Sequence, residues 1–205
     1  MGRHSNIILT NSTGKIIGCI KNIDISISSV RQVLIGLAYQ MPPSQNKLNP
    51  LTVTKSEIFN IIDRPLPADK VILEGFTGIS PLISRELAFC ALNDSSADLS
   101  LLDYNKKQQL ADFLHKTFTQ WKNNNFISIL LTDKDKKKLF DFSPISISQY
   151  GDKMEITPFQ SLSKAIDEFY DLRDKQARAA ARSADLQKFI SNNISRCQKK
   201  LSLLG

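Results

Sequence analysis

From residue 173 to 204 the chain reads RDKQARAAARSADLQKFISNNISRCQKKLSLL, and no other stretch restricts the fold as strongly. It predicts one long helix whose apolar positions are thin: Ala177, Ala181, Ala184, Leu186, Phe189, Ile190, Ile194, Leu201 and Leu204. A helix so poor in apolar surface is not stable alone over its whole length and calls for a coiled-coil partner. It is also basic. From Asp171 to Gly205 there are eight Lys or Arg against three Asp, most of the excess behind the net charge of +7 for all 205 residues. A basic, sparsely apolar helix suits contact with a polyanion, and a solvated helix face is the competing reading.

The remaining sequence switches its hydrophobic period several times. HSNIILTN (4–11) and GKIIGCIK (14–21) are β-branched runs that predict a hairpin across Ser12-Thr13. SSVRQVL reads as a short helix or turn, and Pro42, Pro43 and Pro50 make the following stretch an extended connector. From Thr54 the period becomes helical. Thr54 and Glu57 form a capping-box pattern, with Ile58, Phe59, Ile61 and Ile62 on the apolar face and Pro65 and Pro67 as the stop. Two more helices, 70–76 and 81–92, meet at Gly78-Ile79-Ser80-Pro81. Lys106 to Lys122 carries a stripe of Leu110, Phe113, Leu114, Thr117, Phe118 and Trp121. FISILLT (126–132) and KKLFDF (137–142) predict a second hairpin, and the alternation of SPISISQY predicts a third strand beside it. Pro158 and Ser161 are expected to open the last helix. Strands, helices, strands and a long helix define an α+β fold, with a helix-hairpin-helix insertion between two hairpins of one sheet.

The exclusions are broad. Cys19, Cys90 and Cys197 are odd in number, far apart and in no Cys-x-x-Cys pair. They indicate neither a disulfide framework nor a zinc site, and they fit a reducing cytoplasm. No secretory h-region and no long apolar run is present, so a cytoplasmic protein without a membrane segment is expected. There is no phosphate-binding Gly-rich loop with a lysine and no serine nucleophile motif, and the histidines are only His4 and His115. Neither catalysis nor a cofactor is expected. What remains is the Gly78 bend. Ser80 is a good N-cap, Pro81 sits at N1, and Gly78 supplies the positive φ of a tight reversal. Bare amides at the start of the second helix, aligned with its dipole, can hold a phosphate without reading sequence. The competing reading is that Gly78 only lets two helices pack closely.

Four stretches in this order, MGRHSNIILTN, SSVRQVL with YQMPPSQNKLNP, FTGISPLISREL and SLSKAIDEFYDLRDKQAR, resemble the NFACT family. That family includes bacterial fibronectin-binding protein A-like proteins and eukaryotic ribosome quality-control relatives. Ile35 departs from it, standing where the family usually has proline. The resemblance implies an internal piece of a longer protein: residues 1–50 and 123–160 as parts of a β-rich domain, 51–122 as the helical insertion, 161–205 as the start of a coiled coil. It further implies a non-catalytic factor that binds the obstructed large ribosomal subunit, through its RNA, and tRNA, supporting alanine tailing of stalled chains. An older reading of the family implies a surface adhesin for fibronectin or fibrinogen. A DNA-glycosylase-like activity is a third, though such catalysis uses an N-terminal proline and this chain begins Met1-Gly2. Carried onto this sequence, the nucleic-acid-facing positions are Arg3, His4 and Ser5, the hairpin residues Gly78, Ser80 and Arg85, and the basic residues Arg173, Lys175 and Arg178.

Overall fold

The computed structural model describes residues 5 to 204, and the chain divides into two compact units, the first ending at Asn46 and the second starting at Lys47. The first unit is built on one antiparallel hairpin, β1 (Ile8–Thr10) and β2 (Ile16–Cys19), with a bulge between Leu9 and Thr10. Its turn forms as the sequence demands. The Asn11 side chain accepts from the backbone N–H of Thr13 and Lys15, and Gly14 takes φ +77°. SSVRQVL forms no helix. Instead Val33 and Ile23 exchange backbone hydrogen bonds of 2.7 and 3.0 Å, and Val33 is fully buried.

The second unit holds a helical core. Helix α1 (Lys55–Ile62) starts on the expected capping box: Glu57 N–H donates to Thr54 Oγ1, and Thr54 N–H donates to the Glu57 carboxylate at 2.8 Å. Helix α2 (Ala68–Gly75) and helix α3 (Pro81–Leu92) flank the bend, and helix α4 (Tyr104–Lys122) packs against α1 and α3. The apolar stripes meet in one cluster in which Ile58, Ile62, Val71, Ile72, Phe76, Leu110 and Leu114 are fully buried. Phe76 and Phe118 stack edge to face with centroids 5.0 Å apart.

Beyond Asn124, whose φ of +58° ends the run out of α4, lie β3 (Ser128–Asp133), β4 (Lys138–Ser143) and β5 (Met154–Phe159). They form one antiparallel sheet in the order β4-β3-β5. The mixed α+β architecture ending in a long helix is as the sequence indicates, with two corrections. Among the described residues the two β regions belong to two sheets, not to one. And SPISISQY is not the third strand. Its alternation buries Ile147 against Leu82, Ile129 and Leu131, while its backbone is tied down elsewhere. The third strand lies further on and contains Pro158, which the edge position of β5 tolerates because an edge strand need not donate on both sides. Helix α5 (Leu162–Leu204) therefore starts after Ser161, whose Oγ accepts from Lys164 N–H, and not at Pro158.

Helix α5 is anchored only at its beginning. Ala165 is fully buried, and Phe169 and Tyr170 stack on Phe142 of β4 at 5.2 and 6.4 Å. From Arg173 to Ser202 every residue but Asn193 is exposed, and the apolar side chains Leu186, Phe189, Ile190 and Ile194 are more than half exposed.

Candidate nucleic-acid interface

The bend between α2 and α3 is constructed by residues with distinct jobs. Phe76 ends α2 in extended conformation and plugs the core. Its neighbours clip the chain to the proline-rich connector: Leu48 N–H donates to Gly75 O at 2.8 Å and Thr77 N–H to Leu48 O at 2.9 Å. Gly78 then turns at φ +74°, exposed, with open space where a Cβ would stand. Ile79 returns to the core, and Ser80 caps α3 by accepting from Ile83 N–H at 3.3 Å. The two glycines of this stretch serve different ends. Gly78 is needed for its φ, whereas a Cβ on Gly75 would lie 2.7 Å from Ile61 Cγ2.

The N–H groups of Gly78, Ile79, Ser80 and Leu82 find no acceptor among the described residues. They sit at the positive end of a 12-residue helix, the arrangement that attracts an anion. Arg85 lies four residues beyond Pro81 on the same, less buried face of α3, with no hydrogen bond or ion pair among the described residues. From Thr77 to Arg85 there is no carboxylate. The next one, Glu86, is only 2 % exposed and is occupied elsewhere.

Glu86 is one feature that sequence reasoning missed. Its carboxylate accepts from Ser148 Oγ at 2.6 Å, Ser148 N–H at 2.8 Å and Gln149 N–H at 3.0 Å. The Cys90 thiol donates to it at 3.2 Å. This clamp fastens the 143–150 segment to α3 and satisfies a buried charge with four donors. Cys90 is exposed at the surface, yet partial desolvation of its thiol, and then Glu86, push it up to about 11, far from a reactive thiolate. A second unforeseen feature is an apolar cleft of about 340 Å³ beside the bend, where Gly78 and Ile79 meet Pro50, Leu51, Trp121 and Phe126. These residues are scattered from 50 to 126, so no local pattern announces the cleft.

Gly78 and Ser80 share the bend, and Arg85 follows in the second turn of α3. Arg173, Lys175 and Arg178 lie on exposed α5, and no described contact joins them to the bend. Their charge is partly engaged. The Arg173 guanidinium stands 4.3 Å from the Tyr170 ring centroid, Lys175 pairs with Asp171 at 3.3 Å, and Arg178 Nε donates to Asp174 O. Ser5 is exposed and lines a mixed pocket of the first unit with Asn6, Lys21, Ile23, Ile27 and Arg31. Arg3 and His4 lie outside the described residues. Among the described residues no group of acidic, histidine or cysteine side chains could hold a metal ion, and no helix is long and apolar enough to cross a membrane.

The chain is thus an α+β protein with an exposed, glycine-turned bend between two helices and a long, exposed, basic C-terminal helix. The chain belongs to the NFACT family, since the model of its N-terminal and middle domains matches residues 1–205. It is 31% identical to the Rqc2 homolog RqcH of Bacillus subtilis over 100% of this chain and 33% of that protein. It is 29% identical to the Rqc2 homolog RqcH of Streptococcus suis, over 98% of this chain and 32% of that protein. The chain thus spans about a third of the length of these relatives. Among solved structures it resembles the fibrinogen-binding protein from Staphylococcus aureus, with TM-score 0.62 and 28% identity over 83% of this chain and 57% of that one. It also resembles the N-terminal part of the fibronectin/fibrinogen-binding protein from Streptococcus suis, with TM-score 0.52 and 26% identity over 83% and 54% of the two chains.

Proposed function

We propose that this chain is the RNA-contacting N-terminal portion of a cytoplasmic ribosome quality-control factor. The whole protein engages the obstructed large ribosomal subunit and tRNA and supports alanine tailing of the stalled product. It is a positioning factor with no bond-making residue of its own, because peptide-bond chemistry belongs to the ribosome. Membership of the NFACT family and the RqcH relatives support this reading. One structural observation carries it: the four unpartnered amides from the Gly78 bend to the first turn of α3, with Gly78 and Ser80 exposed and Arg85 following. Such a bend holds a phosphate by charge and geometry alone, and α5 adds a cationic arm that a long polyanion can reach.

Co-sedimentation of the full gene product with large ribosomal subunits tests the reading. With about three phosphates neutralised, affinity should fall about 40-fold between roughly 50 and 200 mM salt. Affinity that hardly moves with salt, or absence of co-sedimentation at low salt, defeats it. A second reading is a protein-binding role, favoured by the names of the two solved relatives, which speak of fibrinogen and fibronectin. Under it, immobilised fibronectin or fibrinogen retains the gene product and ribosomal subunits do not.

A further inference from the structure

The turn between β3 and β4 holds the densest run of lysine in the chain. TDKDKKKL, residues 132 to 139, sets Lys134, Lys136, Lys137 and Lys138 close together. Asp133 pairs with both Lys138 and Met154, so this turn stands at one end of the three-stranded sheet, next to Lys153. Lys134 N–H donates to Lys153 O at 3.1 Å, which ties the fifth lysine to the same end. All five are exposed, and none makes an ion pair or a side-chain hydrogen bond among the described residues. Asp133 is committed to the turn itself: its carboxylate accepts from Asp135 N–H at 3.0 Å and Lys136 N–H at 2.9 Å. Asp135, Asp152 and Glu155 lie at the same end, yet no lysine there pairs with any of them.

Lys137 supplies a second, independent observation. Its φ is +49°, in the left-handed region. The other described non-glycine residues with positive φ are Asn46, Asn93 and Asn124, and asparagine tolerates that region. Lysine does not, and no side-chain hydrogen bond compensates it here. Glycine would remove the strain. A long cationic side chain held at a backbone cost, beside four other free cations, points to a use outside the fold.

We propose that the β3–β4 turn, with Lys134, Lys136, Lys137, Lys138 and Lys153, is a phosphate-backbone clamp for RNA, separate from the Gly78 bend. The choice of RNA as the polyanion rests on the function proposed above, whereas the clamp's residues are independent of the bend. Lysines are point charges without the fork that reads a base edge, so they grip the backbone of any sequence. Lys and Asp are depleted from protein–protein interfaces, which disfavours a protein partner. A loop that docks on a membrane carries apolar side chains to insert, and residues 132 to 138 contain none.

The test uses the full gene product and a single-stranded oligouridylate, with affinity followed between roughly 50 and 200 mM salt. Lys136→Gln, Lys137→Gln and Lys138→Gln together should weaken binding about 100-fold at roughly 100 mM salt and reduce the log–log salt slope by about 2. Lys70→Gln, Lys106→Gln and Lys116→Gln together, which remove the same charge from α2 and α4, should leave the slope unchanged. Lys137→Gly should separate the two roles of that position. Amide exchange from Leu131 to Leu139 should slow by about threefold while RNA affinity falls. An unaltered slope in the turn variant overturns the proposal, as does faster exchange in Lys137→Gly. So does retention of the unmodified protein on phosphatidylserine vesicles through the same lysines without RNA binding, which assigns the turn to a membrane. Ribosome co-sedimentation keeps the two readings apart. Subunit binding with no effect of the turn variant on RNA sinks only the clamp, and turn-dependent RNA binding without subunit binding sinks only the ribosomal role.

Discussion

At the scale of single residues, Gly75 and Gly78 separate two reasons for the same residue type. Gly78 stands in open space with φ +74°, so Gly78→Ala meets only the cost of a left-handed backbone, about 1 kcal/mol. Gly75→Ala pushes a methyl group into Ile61, and overpacking of this kind costs about 1–3 kcal/mol. Denaturant unfolding of both variants should show the larger loss at Gly75, and the reverse order would mean that Ile61 yields easily. Cys90 provides a second measurement at this scale. Raised from 9.0 to about 11, its thiol holds about 100-fold less thiolate at neutral pH than an ordinary one. Greater intrinsic nucleophilicity offsets part of this, leaving at least about tenfold slower alkylation in the folded chain than in the unfolded one. Glu86→Gln should speed it. Because the folded value is the raised one, the stability this thiol contributes is complete below pH 9 and is lost as pH rises through about 11. A Cys90 that alkylates at the same rate in urea and in buffer contradicts this account.

Among the elements, the helices divide by what they bury. Helices α1 to α4 each contribute several side chains to one core, and their ends carry short-range caps at Thr54, Ser80 and Asp103. Helix α5 has 43 residues and is held by packing only over its first few turns, through Ala165 and Phe169. Limited trypsin digestion should therefore cut at Arg178, Arg182, Lys188 and Arg196 well before any Lys or Arg of α1 to α4. Early cleavage at Lys106 or Lys107 instead would show that the helical core opens as readily as the arm. Exposed Leu186, Phe189, Ile190 and Ile194 remain in register for a coiled-coil neighbour, as the sequence indicates.

For the molecule as a whole, what could be read beforehand was whatever depends on neighbours within a few positions. The Thr54–Glu57 box, the Ser80 cap, the φ of Gly78 and the helical stripes are local, so the sequence alone determined them. Long-range choices were not legible. SPISISQY has the alternation of a strand, yet Glu86, some sixty positions earlier, takes the N–H groups of Ser148 and Gln149 that a ladder would use. The third strand instead falls at Met154–Phe159, where an edge position accommodates Pro158. The separation of the strands into two sheets was hidden for the same reason, since period 2 states that a face is buried but not against what. At the bend, the sequence by itself settled that a tight, glycine-dependent turn lies between α2 and α3. Only the tertiary structure decided that this turn is exposed, that an apolar cleft flanks it, and that the basic arm is a separate element: exposure and pairing over many residues are set by packing, which no short stretch of sequence encodes.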